Sequence, residues 1–143
     1  MFSIFKNQKK NSKNIFIKIA CLLIHAAKID EIYTDKEREI IKKTIINLGI
    51  QQNEIEKILI EAENMESRSN QIIEFTKDIK QLNEDDKKKI VESLWKIIYS
   101  DSKSDIYESN LMRRLTGLLY LNSKVVGDIK EKIKKNIKND LHS

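Results

Sequence analysis

The residues best suited to chemistry in this sequence are carboxylates, and they come in two matched runs. Asp30-Glu31-Ile32-Tyr33-Thr34-Asp35-Lys36-Glu37 is answered seventy-one residues later by Asp101-Ser102-Lys103-Ser104-Asp105-Ile106-Tyr107-Glu108. Asp30 corresponds to Asp101, Thr34 to Asp105 and Glu37 to Glu108. If folding sets the two runs side by side, Asp30, Glu37, Asp101, Asp105 and Glu108 are candidate metal ligands. A hard divalent cation, calcium or magnesium, is the cofactor they would suit, since calcium takes roughly six to eight oxygens and loop carbonyls and water can complete the set. The spacing is not that of the calcium-binding helix-loop-helix hand, which needs a bidentate Glu at its twelfth position. Counted from Asp30 that position is Ile41, and from Asp101 it is Met112.

A second use competes for the same residues. Thr34 followed three places on by Glu37 is a capping box: the hydroxyl accepts from the Glu37 amide while the carboxylate reaches back to the Thr34 amide. A cap contributes about 1 kcal/mol without any ion. Carboxylates also favour the positive end of a helix, where a cation is disfavoured. Asp30 and Asp101 lie too far before their helices to belong to a box, and they are what a metal site would explain.

Other chemistry finds little support. Histidine occurs only at His25 and His142, cysteine only at Cys21, and no glycine-rich phosphate loop is present. Without a nucleophile-base pair, the sequence predicts a protein that is not an enzyme.

The elements that must position the acidic runs follow from hydrophobic spacing. The chain has 143 residues, no proline and three glycines, with abundant Ile, Leu, Lys and Glu. Such a composition predicts one all-α domain. Helices are expected at about 14–28, 35–48, 52–64, 69–81, from Asn83 as N-cap onward, 105–120 and 123–138, in a bundle-like or orthogonal array of about seven. The stretch 64–68 is expected to be a loop, Gly49 to stop the second helix, and Gly117 to permit a close helix crossing. The first helix is apolar on nearly every side and must be surrounded. Ile19, Ala20, Leu23 and Ala27 correspond to Ile90, Val91, Leu94 and Ile98; Ile40, Ile41, Lys42, Lys43 and Leu48 correspond to Leu111, Met112, Arg113, Arg114 and Leu119. The unit repeated is therefore a helix-loop-helix pair, with a pseudo-twofold axis expected between the copies.

Charge is concentrated at the ends. Residues 1–13, an expected basic tail, hold four lysines and no acid; residues 124–143 hold six lysines against three acids. The helical domain is placed at 14–138, with 139–143 a C-terminal tail. Between the ends, acids slightly outnumber bases, a poor background for sequence-specific nucleic-acid binding. The longest apolar run falls short of the roughly 20 residues of a membrane span, and the first residues lack the features of a secretory signal. A cytoplasmic location is expected, with a weak membrane-surface contact through residues 1–13 as a membrane-peripheral variant.

With the doubled pattern in view, the sequence resembles the TerB family of tellurite-resistance proteins, a group that includes the N-terminal domain of the membrane-anchored co-chaperone DjlA. The residues carrying the resemblance are Ala26-Ala27-Lys28-Ile29-Asp30 leading to Glu37, and Ile98-Tyr99-Ser100-Asp101 leading to Glu108. Family members commonly have Ala-Asp-Gly at each loop; here the flanks are Ile29 and Glu31, then Ser100 and Ser102. The resemblance spans about residues 14–138. It implies an all-α fold, a cytoplasmic or membrane-peripheral stress-related protein without established enzymatic activity, and a divalent-cation site at the paired loops. The expected function is an interaction module for a protein partner. The alternative is a membrane or nucleic-acid adaptor working through the basic terminal segments.

Overall fold

The structure, a computed structural model, describes residues 9–30, 32–69, 72–100 and 106–142. Within them the chain is all-α, with seven α-helices and no strand. Helix α1 is Lys9–Ala27, α2 Asp35–Asn47, α3 Ile55–Arg68, α4 Ile73–Ile79, α5 Glu84–Ile98, α6 Ile106–Leu118 and α7 Ser123–His142, with a 3-10 turn at Lys28–Asp30.

Helix α1 is the central element, as its sequence requires. Phe16, Ile17, every residue from Ile19 to Ile24, and Ala26 and Ala27 are buried. It packs most extensively on α3 and also touches α2, α4 and α5. Lys18 interrupts the apolar surface and is neutralised by Asp78 of α4. The second layer is α5, whose Ile90, Val91, Leu94, Trp95, Ile97 and Ile98 are all buried. Asn83 caps it by accepting from the Asp86 amide at 2.8 Å. Helix α7 covers α5: the Trp95 indole donates to the Val126 carbonyl at 3.2 Å, and the Lys130 ammonium lies 5.2 Å from the Trp95 ring centre. Among the described residues no buried side-chain nitrogen or oxygen lacks a hydrogen-bond partner, as expected of a well-formed core.

Three boundaries differ from the sequence reading. Helix α1 starts at Lys9 rather than near Asn14. Residues 64–68 are helical, because polar composition is outweighed by tertiary contact. Glu66 is only 8 % exposed and takes the Lys28 ammonium at 3.0 Å, while Ser67 and Arg68 turn their side chains back onto the Asn64 carbonyl. Helix α4 is correspondingly short. Gly117 mediates no crossing: it is exposed, and a Cβ there would meet nothing within 4 Å.

The second helix pair keeps the first pair's boundaries at the same offset of seventy-one. Helix α1 ends at Ala27 and α5 at Ile98; α2 spans Asp35–Asn47 and α6 spans Ile106–Leu118. The stops are alike in detail. After α2, Gly49 N–H donates to Ile46 O at 3.0 Å and Ile50 N–H to Ile45 O at 3.3 Å. After α6, Tyr120 N–H donates to Gly117 O at 3.3 Å and Leu121 N–H to Thr116 O at 2.9 Å. Both are the Schellman pattern, in which two bonds satisfy terminal carbonyls and the chain reverses through positive φ. Gly49 has φ 125° and Tyr120 φ 55°. Tyr120 is thus a tyrosine doing what glycine does at the equivalent place.

Candidate functional site

The geometry of the acidic corner starts from the helix start at α2. Thr34 holds an extended backbone and its Oγ1 accepts from the Glu37 amide at 3.1 Å. Glu37 Oε1 accepts in return from the Thr34 amide at 2.8 Å and from the Thr34 hydroxyl at 3.0 Å. The predicted capping box is therefore formed, and it draws Glu37 down to 4 % exposure. A carboxylate so buried is tolerable because charge-assisted bonds to the helix start replace its water.

Residue Tyr33, one position earlier, ties the loop to the body. Its hydroxyl donates to Glu63 Oε2 at 2.8 Å, and Arg38 Nε donates to the same oxygen at 3.0 Å. Arg38 continues to Glu56, with its two terminal nitrogens at 3.4 and 3.1 Å from the two carboxylate oxygens. Lys42 joins that carboxylate at 3.4 Å. Hydrogen bonding from Arg38 holds the Glu56 carboxyl below its usual range. Burial, reinforced by the Glu63 carboxylate, pushes the Tyr33 phenol above its ordinary value, so it stays a donor. Helix α2 is thereby fastened to α3.

The link to the second acidic run comes from Lys36. Its ammonium donates to the Ser100 carbonyl at 3.1 Å. Ser100 directly precedes Asp101 in the sequence. The first turn of α2 and Ser100, two residues past the end of α5, are therefore in contact. Ile32, in the first run, is 62 % exposed.

Of the five predicted ligands, Glu37 alone has a described side chain. Asp101 and Asp105 lie outside the described residues, as do the side chains of Asp30 and Glu108. Among the described residues no group of three or more His, Cys, Asp or Glu is arranged to hold a metal ion. His25 is half-buried with Nδ1 3.7 Å from Glu66 Oε1, on the carboxylate that also takes the Lys28 ammonium at the α1–α3 seam. Cys21 is buried, and its thiol donates to the Ala62 carbonyl at 3.4 Å. Burial, with the Glu66 charge adding to it, pushes that thiol up to about 12, far from a reactive thiolate. Residues 1–8 of the basic tail lie outside the described residues, and the lysines of α7 alternate with buried Val126 and Ile133.

What sequence reasoning missed is the pinning set: Tyr33, Lys36, Arg38, Glu56 and Glu63. Its members stand in plain view, but their partners are 18 to 64 residues away, and only the topology pairs them. No described helix is long and apolar enough to cross a membrane.

No curated protein and no solved structure matches the chain. The family model of tellurite resistance protein TerB matches residues 16–131, from the second turn of α1 to the middle of α7 and across both acidic runs. With the all-α architecture of its described residues, the chain belongs to the TerB family.

Proposed function

We propose that this TerB-family chain is a non-enzymatic, stress-related interaction module that works through the corner where its two acid-bearing connections meet. The observation that supports the reading is the Lys36–Ser100 contact, between the first run and the residue immediately before the second, which are far apart in sequence. The shared boundaries and paired Schellman stops support descent of the two helix pairs from one duplicated unit. Ile32, an aliphatic side chain held in water beside the pinned Tyr33, is the feature a protein partner would cover.

A divalent cation, calcium or magnesium, belongs to the same proposal. Glu37 shapes the corner through its helix cap, one oxygen being taken up by Thr34. Asp30, Asp101, Asp105 and Glu108 supply the remaining carboxylates of the proposed set, and oxygen donors of this kind suit a hard ion. Bound there, the ion would neutralise the like charges that the two runs bring together.

The test is thermal unfolding with calcium or magnesium added against chelator. A rise in melting temperature, abolished by Asp30→Asn with Asp101→Asn, is the expected result. A melting point indifferent to both ion and chelator would remove the cation from the reading, and loss of the doubled acids without effect on partner capture would remove the corner.

A further inference from the structure

One helical turn along the seam from the Lys36–Ser100 contact, helices α2 and α5 leave a cleft of about 580 Å³ between them. Each helix contributes a stripe at i, i+3, i+4 and i+7: Ile40, Lys43, Thr44 and Asn47 from α2, then Lys89, Glu92, Ser93 and Lys96 from α5. Residues at that spacing share one helix face. On two packed helices such a face is ordinarily filled with aliphatic side chains that interdigitate. Here the deepest position of each stripe is a hydroxyl instead, and both are buried.

The two hydroxyls meet. Thr44 Oγ1 donates to the Ile40 carbonyl at 2.8 Å, so the proton shared between Thr44 and Ser93 comes from Ser93. Both protons are then spent inside the floor, and the Ser93 oxygen is left with acceptor capacity towards the cleft. The rim is cationic. Lys43, Lys89 and Lys96 face one carboxylate, Glu92, and that carboxylate is already 3.3 Å from Lys96. Among the described residues Lys43 and Lys89 have no ion-pair partner. An unfilled seam with a polar floor and two uncompensated ammoniums is poor packing, and like charges around it oppose closure. A multiply charged anion would relieve both defects, and its own hydroxyls would find an acceptor at Ser93.

We infer that the α2–α5 cleft binds a small phosphate-bearing molecule, held by Lys43, Lys89 and Lys96 over the Thr44–Ser93 floor. A volume of this size accommodates a ligand up to a nucleotide. This inference is independent of the cation proposal, because the charge sign and the residues are different.

The experiment is a calorimetric titration of the full chain with adenosine triphosphate, and separately with inorganic tripolyphosphate, at about 150 mM salt, where charges beyond about 8 Å are screened. Amide shifts are followed on the same samples. Saturable binding is expected, with shifts concentrated at Thr44, Lys89 and Ser93. The double variant Lys43→Glu with Lys89→Glu should weaken it at least ten-fold; both residues are exposed, so the fold should survive, and a far-ultraviolet dichroism spectrum checks that it does. Lys132→Glu with Lys134→Glu on α7 should leave it unchanged. Preference for the triphosphate ester would identify an ester ligand, and equal binding would identify a free phosphate chain. Absence of binding by either probe would overturn the inference, as would equal losses from the α7 variant, which would mark loose attraction to a basic surface.

Discussion

The Lys36 ammonium reaches the Ser100 carbonyl at 3.1 Å across 64 residues of sequence. It joins the first turn of α2 to the end of α5, the two elements that deliver the acidic runs. The contact is exposed, so its net worth is below about 1 kcal/mol, and its effect should be local rather than global. Lys36→Met keeps the aliphatic stem and removes the donor. The expected outcome is a nearly unchanged urea midpoint with faster hydrogen exchange at the amides of Tyr99 and Ser100. Unchanged exchange there would show that the two connections are held together by other contacts.

Two residues at the same place in the two Schellman stops make a second prediction. At Gly49, φ 125° lies where side chains are strained, and at Tyr120, φ 55° is the left-handed well. A residue with a Cβ in the left-handed region costs roughly 1–2 kcal/mol relative to glycine. Gly49→Ala should therefore destabilise by at least about 1 kcal/mol, although the nearest contact of the new methyl, Phe16 Cζ at 3.9 Å, is roomy. Tyr120→Gly should be more stable than Tyr120→Ala by about 1 kcal/mol, both lacking the ring that Lys80 covers at 5.3 Å. Gly117 reverses the sign. It lies inside α6 with nothing within 4 Å of a new Cβ, so Gly117→Ala should stabilise by about 0.8–1 kcal/mol. Urea midpoints of the four variants decide all three comparisons.

The contrast shows which features were legible in the sequence. Local chemistry was: the Thr34–Glu37 box, the Asn83 cap and the Gly49 stop each depend on residues within a few positions of one another, and each is formed. So was the central place of α1, because an all-round apolar helix has only one place to go. Features decided by packing partners were not. The helical run through residues 64–68 depends on Lys28 meeting Glu66, and Gly117 lies off the buried stripe of Leu111, Leu115 and Leu119 that runs along α6 into its stop, so it faces solvent rather than a neighbouring helix. The pinning set around Tyr33 and the hydroxyl floor of the α2–α5 cleft are likewise products of topology. Of the proposed acidic corner, the sequence supplied the residue types, and the Lys36–Ser100 contact ties the first run to the residue that precedes the second.

Cys21 gives a pH dependence. Burial disfavours the thiolate and pushes the thiol up to about 12 in the fold, from an ordinary value of 9.0. A raised folded value means the stabilisation is fully present below the unfolded value and is lost as pH rises towards the folded one. Between pH 9 and about 12, unfolding should become easier by up to about 1.4 kcal/mol per pH unit from this group. Tyr33 adds a change of the same sign at somewhat higher pH, its phenol also being raised. Urea unfolding at pH 8, 9 and 10 should show a steeper loss for the natural chain than for Cys21→Ala. At pH 8 a thiol-specific dye should label the folded chain only at the rate of unfolding; fast labelling would contradict the burial.

The network behind the first acidic loop can be tested for cooperation. Tyr33 and Arg38 donate to one oxygen, Glu63 Oε2, at 2.8 and 3.0 Å. Removing either donor leaves a half-buried carboxylate served by the other, so each single change is softened. Removing both exposes the full cost of an underserved charge. Tyr33→Phe and Arg38→Met should each destabilise by about 0.5–1.5 kcal/mol, with the double variant losing more than their sum by about 0.5 kcal/mol or more. The Arg38 share includes its exposed pairing with Glu56, which salt screens. The coupling itself should survive in about 0.5 M salt because Glu63 is partly shielded from solvent. Strict additivity would mean that the two donors act on Glu63 independently.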